Sequence, residues 1–228
     1  MKRTKRLILI SLLLLLLAGA LLLDPLARFA LALQTERFDH AEAVYLSRLC
    51  HSDQLRQEAD EKLLSYVEHK LAMYYEQRLT YDEVMGVLQP LSLTKLPQDD
   101  IEDCRQAAQE MEAARISLSQ ANACYAASDY AGAIPLYRAA LIADESVEEQ
   151  LKVAEIGYKN HLLADAEAAM DSGKLASSEA ALSRGLKVLG EDGDLAAALN
   201  DVRHMAAEQT YNEQMAEARR RQIGRAHV

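Results

Sequence analysis

The chain has 228 residues, which is enough for one or two domains with a sizeable buried core. Four basic residues lie within the first six positions, and the rest of the chain has 21 Lys and Arg against 35 Asp and Glu. This acidic balance argues against binding to nucleic acid, whose phosphates require a basic face, and against adhesion to anionic lipid. Gly and Pro are scarce, and the strong helix formers Ala, Leu, Glu, Gln and Arg dominate. We therefore predict an all-α fold.

The first element in chain order is an apolar segment, residues 7–23, behind a basic flank at residues 1–6. At about 1.5 Å per residue it nearly spans a hydrocarbon core of about 30 Å. We predict a single-pass transmembrane signal anchor, with the flank in the cytoplasm and the rest of the chain outside it at the cell membrane. Cleavage after Ala18-Gly19-Ala20, which would give a secreted protein, and a buried helix of a soluble domain are the alternatives.

Residues 24–222 carry a repeated helical pattern. Short helices are predicted to begin at four large residues that lie 43, 49 and 45 positions apart, namely Phe38, Tyr81, Tyr130 and Leu175. In each helix a smaller residue follows at the third position and a large one at the seventh: Ala41 and Tyr45, Val84 and Leu88, Ala133 and Tyr137, Ser178 and Leu182. A period in this range is typical of helical repeat arrays.

Longer amphipathic helices are predicted between the short ones, over residues 54–79, 101–127 and 195–218, because apolar positions recur there every three or four residues. Residues 24–34 form either the first helix of the first unit or a continuation of the membrane helix. Helix ends are marked by capping boxes and by glycines: Thr80 with Glu83, Ser146 with Glu149, Gly173 and Gly190. Each unit is a long helix, a tight turn and a shorter helix, which bury their apolar stripes by stacking on the next unit.

The stretch ANACYAASDYAGAIPLYRAALIAD, residues 121–144, resembles a tetratricopeptide repeat. The match rests on the spaced small and aromatic positions Ala121, Tyr130, Ala133, Tyr137 and Ala140. It is best over residues 114–145 and weaker over 166–189, where Ser178 and Gly185 replace alanines, and Glu145 replaces the closing proline. The period of about 45 residues exceeds the 34 of the family. The resemblance implies a tetratricopeptide-like α-solenoid that binds peptides or partner proteins in a concave groove, without assigning any ligand-binding residue.

Motifs of catalysis are missing from the sequence: it contains no HExxH, GxSxG, GxGxxG or phosphate-binding loop. Five histidines lack the spacing of metal ligands: His40, His51, His69, His161 and His204. Asp192-Gly193-Asp194 is better explained as a turn in which Asp194 caps the next helix than as a calcium loop. We predict no enzymatic activity, no catalytic, cofactor-binding or metal residue, no cofactor and no small-molecule substrate.

Three cysteines, Cys50, Cys104 and Cys124, form no CxxC pair, and we expect them to be small apolar residues packed between helices. One disulfide between two of them stays open as an alternative.

The last residues, 223–228, read IGRAHV, which is what one frame of a widely used sequencing adapter encodes. We expect them to be adapter read-through and the coding sequence to continue past residue 222, so they are excluded from functional reasoning.

The predicted function is a membrane-anchored, extracytoplasmic helical-repeat scaffold that mediates interaction with an unidentified protein or peptide. The alternative is the N-terminal fragment of a larger membrane-anchored enzyme or receptor, whose effector domain follows residue 222. A structural stalk without a specific ligand is a third interpretation.

Overall fold

A computed structural model of the chain describes residues 24–226, with side chains as far as residue 221. These residues form nine α-helices and no β-strand, in agreement with the predicted all-α class. A single π-helical turn, Tyr45–Leu49, continues the second helix. In chain order the helices are α1 (Pro25–Gln34), α2 (Phe38–Val44), α3 (Asp53–Tyr75), α4 (Tyr81–Ser92), α5 (Asp99–Ala126), α6 (Tyr130–Ala139), α7 (Val147–Asp171), α8 (Leu175–Leu189) and α9 (Gly193–Ala226).

The predicted fold class needs one correction, which concerns its transmembrane helix. No helix among the described residues combines the length and the apolar composition that crossing a membrane requires. The physical reason is that these helices are amphipathic: even α9, with 34 residues, carries charged side chains along its whole length. The basic flank and the apolar segment on which the anchor and the localisation were predicted, residues 1–23, lie outside the described residues.

The chain divides into two compact units, Met1–Glu112 and Ala113–Val228, and the boundary falls within α5. The core of the first unit includes the fully buried Phe29, Leu63 and Leu88. The core of the second unit includes the fully buried Ile134, Leu182 and Leu195. In each core the side chains come from the apolar stripes that the sequence pattern places on successive helices.

The turns after α1, α3, α5 and α7 share one geometry, the Schellman motif. In each, a residue with positive φ donates its N–H to the carbonyl three residues earlier, at 2.9 to 3.2 Å. The next residue donates to the carbonyl five residues earlier, at 2.8 to 2.9 Å. The positive-φ residues are Glu36 (56°), Gln77 (59°), Ser128 (61°) and Gly173 (69°). Of these four residues, only Gly173 indicates such a turn in the sequence, because the left-handed region of φ and ψ normally favours glycine.

The short helices α2, α4, α6 and α8 begin at the four residues predicted from the spacing, Phe38, Tyr81, Tyr130 and Leu175. The third and seventh positions after each start are buried in all four helices, with exposures between 0% and 6%. The repeated spacing therefore marks the face of each short helix that is buried in its unit. Thr80 and Glu83 form the predicted capping box of α4, with the Thr80 N–H donating to Glu83 Oε2 at 2.8 Å.

Candidate functional site

A groove of about 440 Å³ lies in the second unit, where side chains of α5, α6 and the start of α7 converge. We call it the amide groove, after the two carboxamides among its lining residues. The lining residues are Asn122, Tyr125, Tyr137, Ser146, Glu149, Gln150 and Val153. The seven-residue spacing of α6 positions one wall, because Tyr137 is the large residue at its seventh position and is 2% exposed.

The Asn122 carboxamide is oriented by the core. The hydroxyl of Tyr137 donates to Asn122 Oδ1 at 2.7 Å, which leaves the two N–H groups of Asn122 Nδ2 as donors without an acceptor in the described part of the chain. Burial raises the pKa of Tyr137, and the nearby Tyr125 raises it further, so the phenol stays protonated and keeps donating at neutral pH. The groove therefore presents a fixed amide donor.

The Gln150 carboxamide supplies an acceptor. Its Nε2 makes a long hydrogen bond of 3.4 Å to the Ser146 hydroxyl. Its Oε1 is buried, and none of the described residues donates to it. A buried polar atom left without a hydrogen bond costs about 1–3 kcal/mol, so a rotation of the Gln150 amide that lets Oε1 meet a donor in the groove would remove this cost.

Glu149 contributes the only carboxylate among the lining residues. The predicted capping box with Ser146 is wrong: the Ser146 side chain caps nothing, and its backbone, at φ −71° and ψ −15°, lacks the extended geometry of a capping residue. Instead the Ser146 N–H donates to Asp144 Oδ1 at 2.7 Å. The Glu149 carboxylate is thereby left to the groove, whereas its neighbour Glu148 is paired with Lys152 at 2.7 Å.

Apolar surface borders these polar groups. Tyr125 is 37% exposed and Val153 is 49% exposed, and Ile156, one turn further along α7, is 59% exposed. Tyr125 is held by an edge-to-face contact with Tyr130, whose ring centre is 5.6 Å away. The groove thus combines an amide donor, a buried acceptor, one carboxylate and an apolar border. This set can bind main-chain N–H and C=O groups together with a side chain, but it contains no nucleophile paired with a base.

A second groove, of about 620 Å³, lies in the first unit between α1 and α3. It contains a buried hydroxyl without a hydrogen-bond partner in that unit's described part, that of Tyr66, whose pKa is raised by burial. Its lining includes four charged residues, Glu58, Glu61, Lys62 and Lys70, together with His69. Because Lys70 is already paired with Glu36 at 2.8 Å and both signs of charge are present, this groove indicates no single ligand chemistry.

The side chains considered for metal binding do not come together. Within residues 24–226, no group of three or more His, Cys, Asp or Glu side chains could hold a metal ion. The carboxylates of Asp192 and Asp194 contact Lys159 Nζ at 3.0 and 2.5 Å. Their negative charges are therefore balanced by a lysine. The predicted cap is corrected as well, because Asp192, not Asp194, accepts the Leu195 N–H at 3.1 Å.

The three cysteines are free thiols, so the alternative of a disulfide is not realised. Cys104 is buried, and burial raises the pKa of its thiol to about 11, which keeps it protonated.

Sequence reasoning named no residue of the amide groove as a binding residue. Asn122 and Gln150 follow or precede a buried residue of an apolar stripe in the chain. A carboxamide at such a position was the one sign in the sequence that a polar binding group lies beside the core. No protein-family model, no curated protein and no solved structure matches the chain.

Proposed function

We propose that the protein is a helical-hairpin scaffold that binds an extended segment of a partner polypeptide in the amide groove. The observation that carries this proposal is the buried Gln150 Oε1, which lacks a hydrogen-bond donor in the described structure. Asn122 Nδ2, on the same groove, offers the complementary donor. One carboxamide oxygen and one carboxamide N–H match the N–H and C=O that every residue of an extended chain except proline presents.

The remaining lining residues indicate which segment would fit. The exposed Tyr125 and Val153 favour an apolar side chain, since contact removes their apolar surface from water. The Glu149 carboxylate, with no cation among the lining residues, favours a Lys or Arg beside it. The ligand class is therefore an extended segment with an apolar residue next to a basic one.

The same proposal includes a relationship to tetratricopeptide-like scaffolds, and the repeated hairpins support it. Four Schellman turns and four buried seven-residue spacings recur along the chain. A chain of this kind presents side chains of its long helices to a partner while its short helices are anchored in the core.

The test is a selection of random linear peptides, displayed on phage, against the full chain. We expect enrichment of sequences with an apolar residue beside Lys or Arg, and we would measure the selected peptides by fluorescence anisotropy. Gln150→Met removes the buried acceptor at nearly constant volume, so it should fold well and weaken binding about five- to tenfold. Selected peptides that bind this variant as tightly as the parent chain would overturn the proposal.

Charge variants provide a matched control. Glu149→Gln should weaken binding of the basic peptides, whereas Glu148→Gln, one residue away and paired with Lys152, should not. Equal effects of the two substitutions would mean that the acidic surface in general, and not the groove, attracts the peptides.

A further inference from the structure

Helix α9 has two different parts. Its buried residues, Leu195, Leu199 and Val202, all lie in its first ten positions and belong to the core of the second unit. Every residue from 207 to 221 is exposed. These 15 consecutive residues, about four turns of the helix, therefore present all of their faces to solvent.

The exposed part carries an apolar stripe that does not continue the packed face. Ala207, Tyr211, Met215 and Ala218 follow each other at intervals of four, four and three, which places them on one side of a helix. Tyr211 is 61% exposed and Met215 is 41% exposed. At 3.6 residues per turn, Val202 lies about 180° around the helix from Tyr211. The stripe can thus be covered without any change in the core.

Two opposite charges border the stripe on the same side. Glu208 and Arg219 lie about 60–80° from Tyr211 around the helix axis. In an antiparallel pair of identical helices, residues on one side of the stripe face residues on the same side of the second copy. A two-fold axis level with residue 213 then brings Glu208 opposite Arg219, Tyr211 opposite Met215 and Ala207 opposite Ala218, each contact occurring twice.

We propose that a second copy of this chain docks on the stripe and forms an antiparallel pair of α9 helices. One register satisfies the charge pair, the Tyr–Met contact and the small-residue contact together. The alanines allow close approach, and sulfur–aromatic contacts are favourable. In a parallel pair, the side of the stripe that carries Glu208 and Arg219 would instead face the other side of the second copy, so these two charges would not meet. The Glu208–Arg219 pair therefore favours the antiparallel arrangement, which is a closed, isologous interface.

The experiment is sedimentation velocity of the full chain over a range of concentrations, with a concentration-dependent equilibrium between monomer and dimer as the expected result. Glu208→Arg alone and Arg219→Glu alone each turn two attractive contacts into two repulsive ones, so each should weaken self-association about tenfold or more. An equimolar mixture of the two variants should associate again, because every contact between the two different copies is then attractive.

Glu213→Arg is the matched control, because Glu213 lies on the opposite side of the helix and its substitution should leave the dimer unchanged. A monomer at all concentrations, a dimer insensitive to both charge variants, or a mixture that does not associate would each overturn the proposal. Circular dichroism checks that the variants fold. Peptide binding by the amide groove is expected to be unchanged in all of them, so the two proposals fail independently.

Discussion

The Tyr137 hydroxyl, on a side chain that is 2% exposed, donates a 2.7 Å hydrogen bond to the Asn122 carboxamide of the groove. Tyr137 therefore belongs to both the core and the site. Its ring packs in the core of the second unit, and its hydroxyl fixes the direction in which the Asn122 N–H groups point. Local packing and the candidate site are coupled through this bond.

Tyr137→Phe keeps the ring and removes the hydroxyl. We expect the free energy of unfolding to fall by about 0.5–1.5 kcal/mol, the usual net worth of such a hydrogen bond, and the affinity for selected peptides to fall as well. Urea denaturation and fluorescence anisotropy measure the two effects.

Tyr45→Phe is the control for this prediction. Tyr45 occupies the equivalent seventh position of the first short-helix repeat, and its hydroxyl donates to Asp60 at 2.8 Å in the first unit. This variant should lose at least as much stability, because its acceptor is a carboxylate, and no affinity. Unchanged peptide binding in Tyr137→Phe would show that Asn122 needs no support from the core.

Gly185 and Gly86 should respond to alanine with opposite signs. Gly185 is buried in α8, and a Cβ there would collide with the Leu162 side chain and meet Leu195 Cδ1 at 3.6 Å. We expect Gly185→Ala to destabilise the protein by about 1–3 kcal/mol through overpacking. Gly86, in α4, has nothing within 4 Å of an added Cβ, so Gly86→Ala should stabilise by about 0.5–1 kcal/mol. Thermal denaturation of both variants tests the pair, and a stabilising Gly185→Ala would contradict it.

In three Schellman turns a residue other than glycine has a positive φ, so glycine should be favourable there. Gln77 has a φ of 59°, a conformation that disfavours every residue with a Cβ by roughly 1–2 kcal/mol. Glycine relieves this strain but adds flexibility to the unfolded chain, so Gln77→Gly should stabilise by about 0.5–1 kcal/mol. Gln106→Gly, on an exposed position of α5, should instead destabilise by about 1 kcal/mol. Melting temperatures that fall in both variants would show that the turn is not strained.

The contacts of Asp192 predict a dependence of stability on pH. The Leu195 N–H, and then Lys159, hold the pKa of the Asp192 carboxyl below its ordinary value in the folded chain. The ionised carboxylate therefore stabilises the fold at pH values above the ordinary aspartate pKa of about 3.9, and this contribution is lost as the pH falls below it.

Asp192→Asn should consequently be less stable than the parent chain at pH 7, and that difference should be smaller at pH 3. Urea denaturation at the two pH values measures it, with Asp201→Asn, an exposed carboxylate within α9, as the control. A difference of constant size at both pH values would exclude an ionic contribution from Asp192.

The local pattern of residues was sufficient for the helices themselves. The four short-helix starts and the eight buried positions that follow them came from spacing alone, because a helix with one apolar stripe can be buried in only one orientation. The Thr80 capping box was also predictable, since its two residues are neighbours in the chain. The same local logic failed at Ser146, where Asp144 takes the backbone N–H instead.

The sequence by itself determined the helical class, the period and the residues that the short helices bury, because these depend on contacts within a few turns. Only the tertiary structure decided which polar groups meet. Asn122, Tyr137 and Gln150 lie on three different helices, and both the hydrogen bond between Tyr137 and Asn122 and the place of Gln150 beside them depend on how those helices pack. The positive φ of Glu36, Gln77 and Ser128 is likewise imposed by the hairpins, because no intrinsic preference of these side chains selects it.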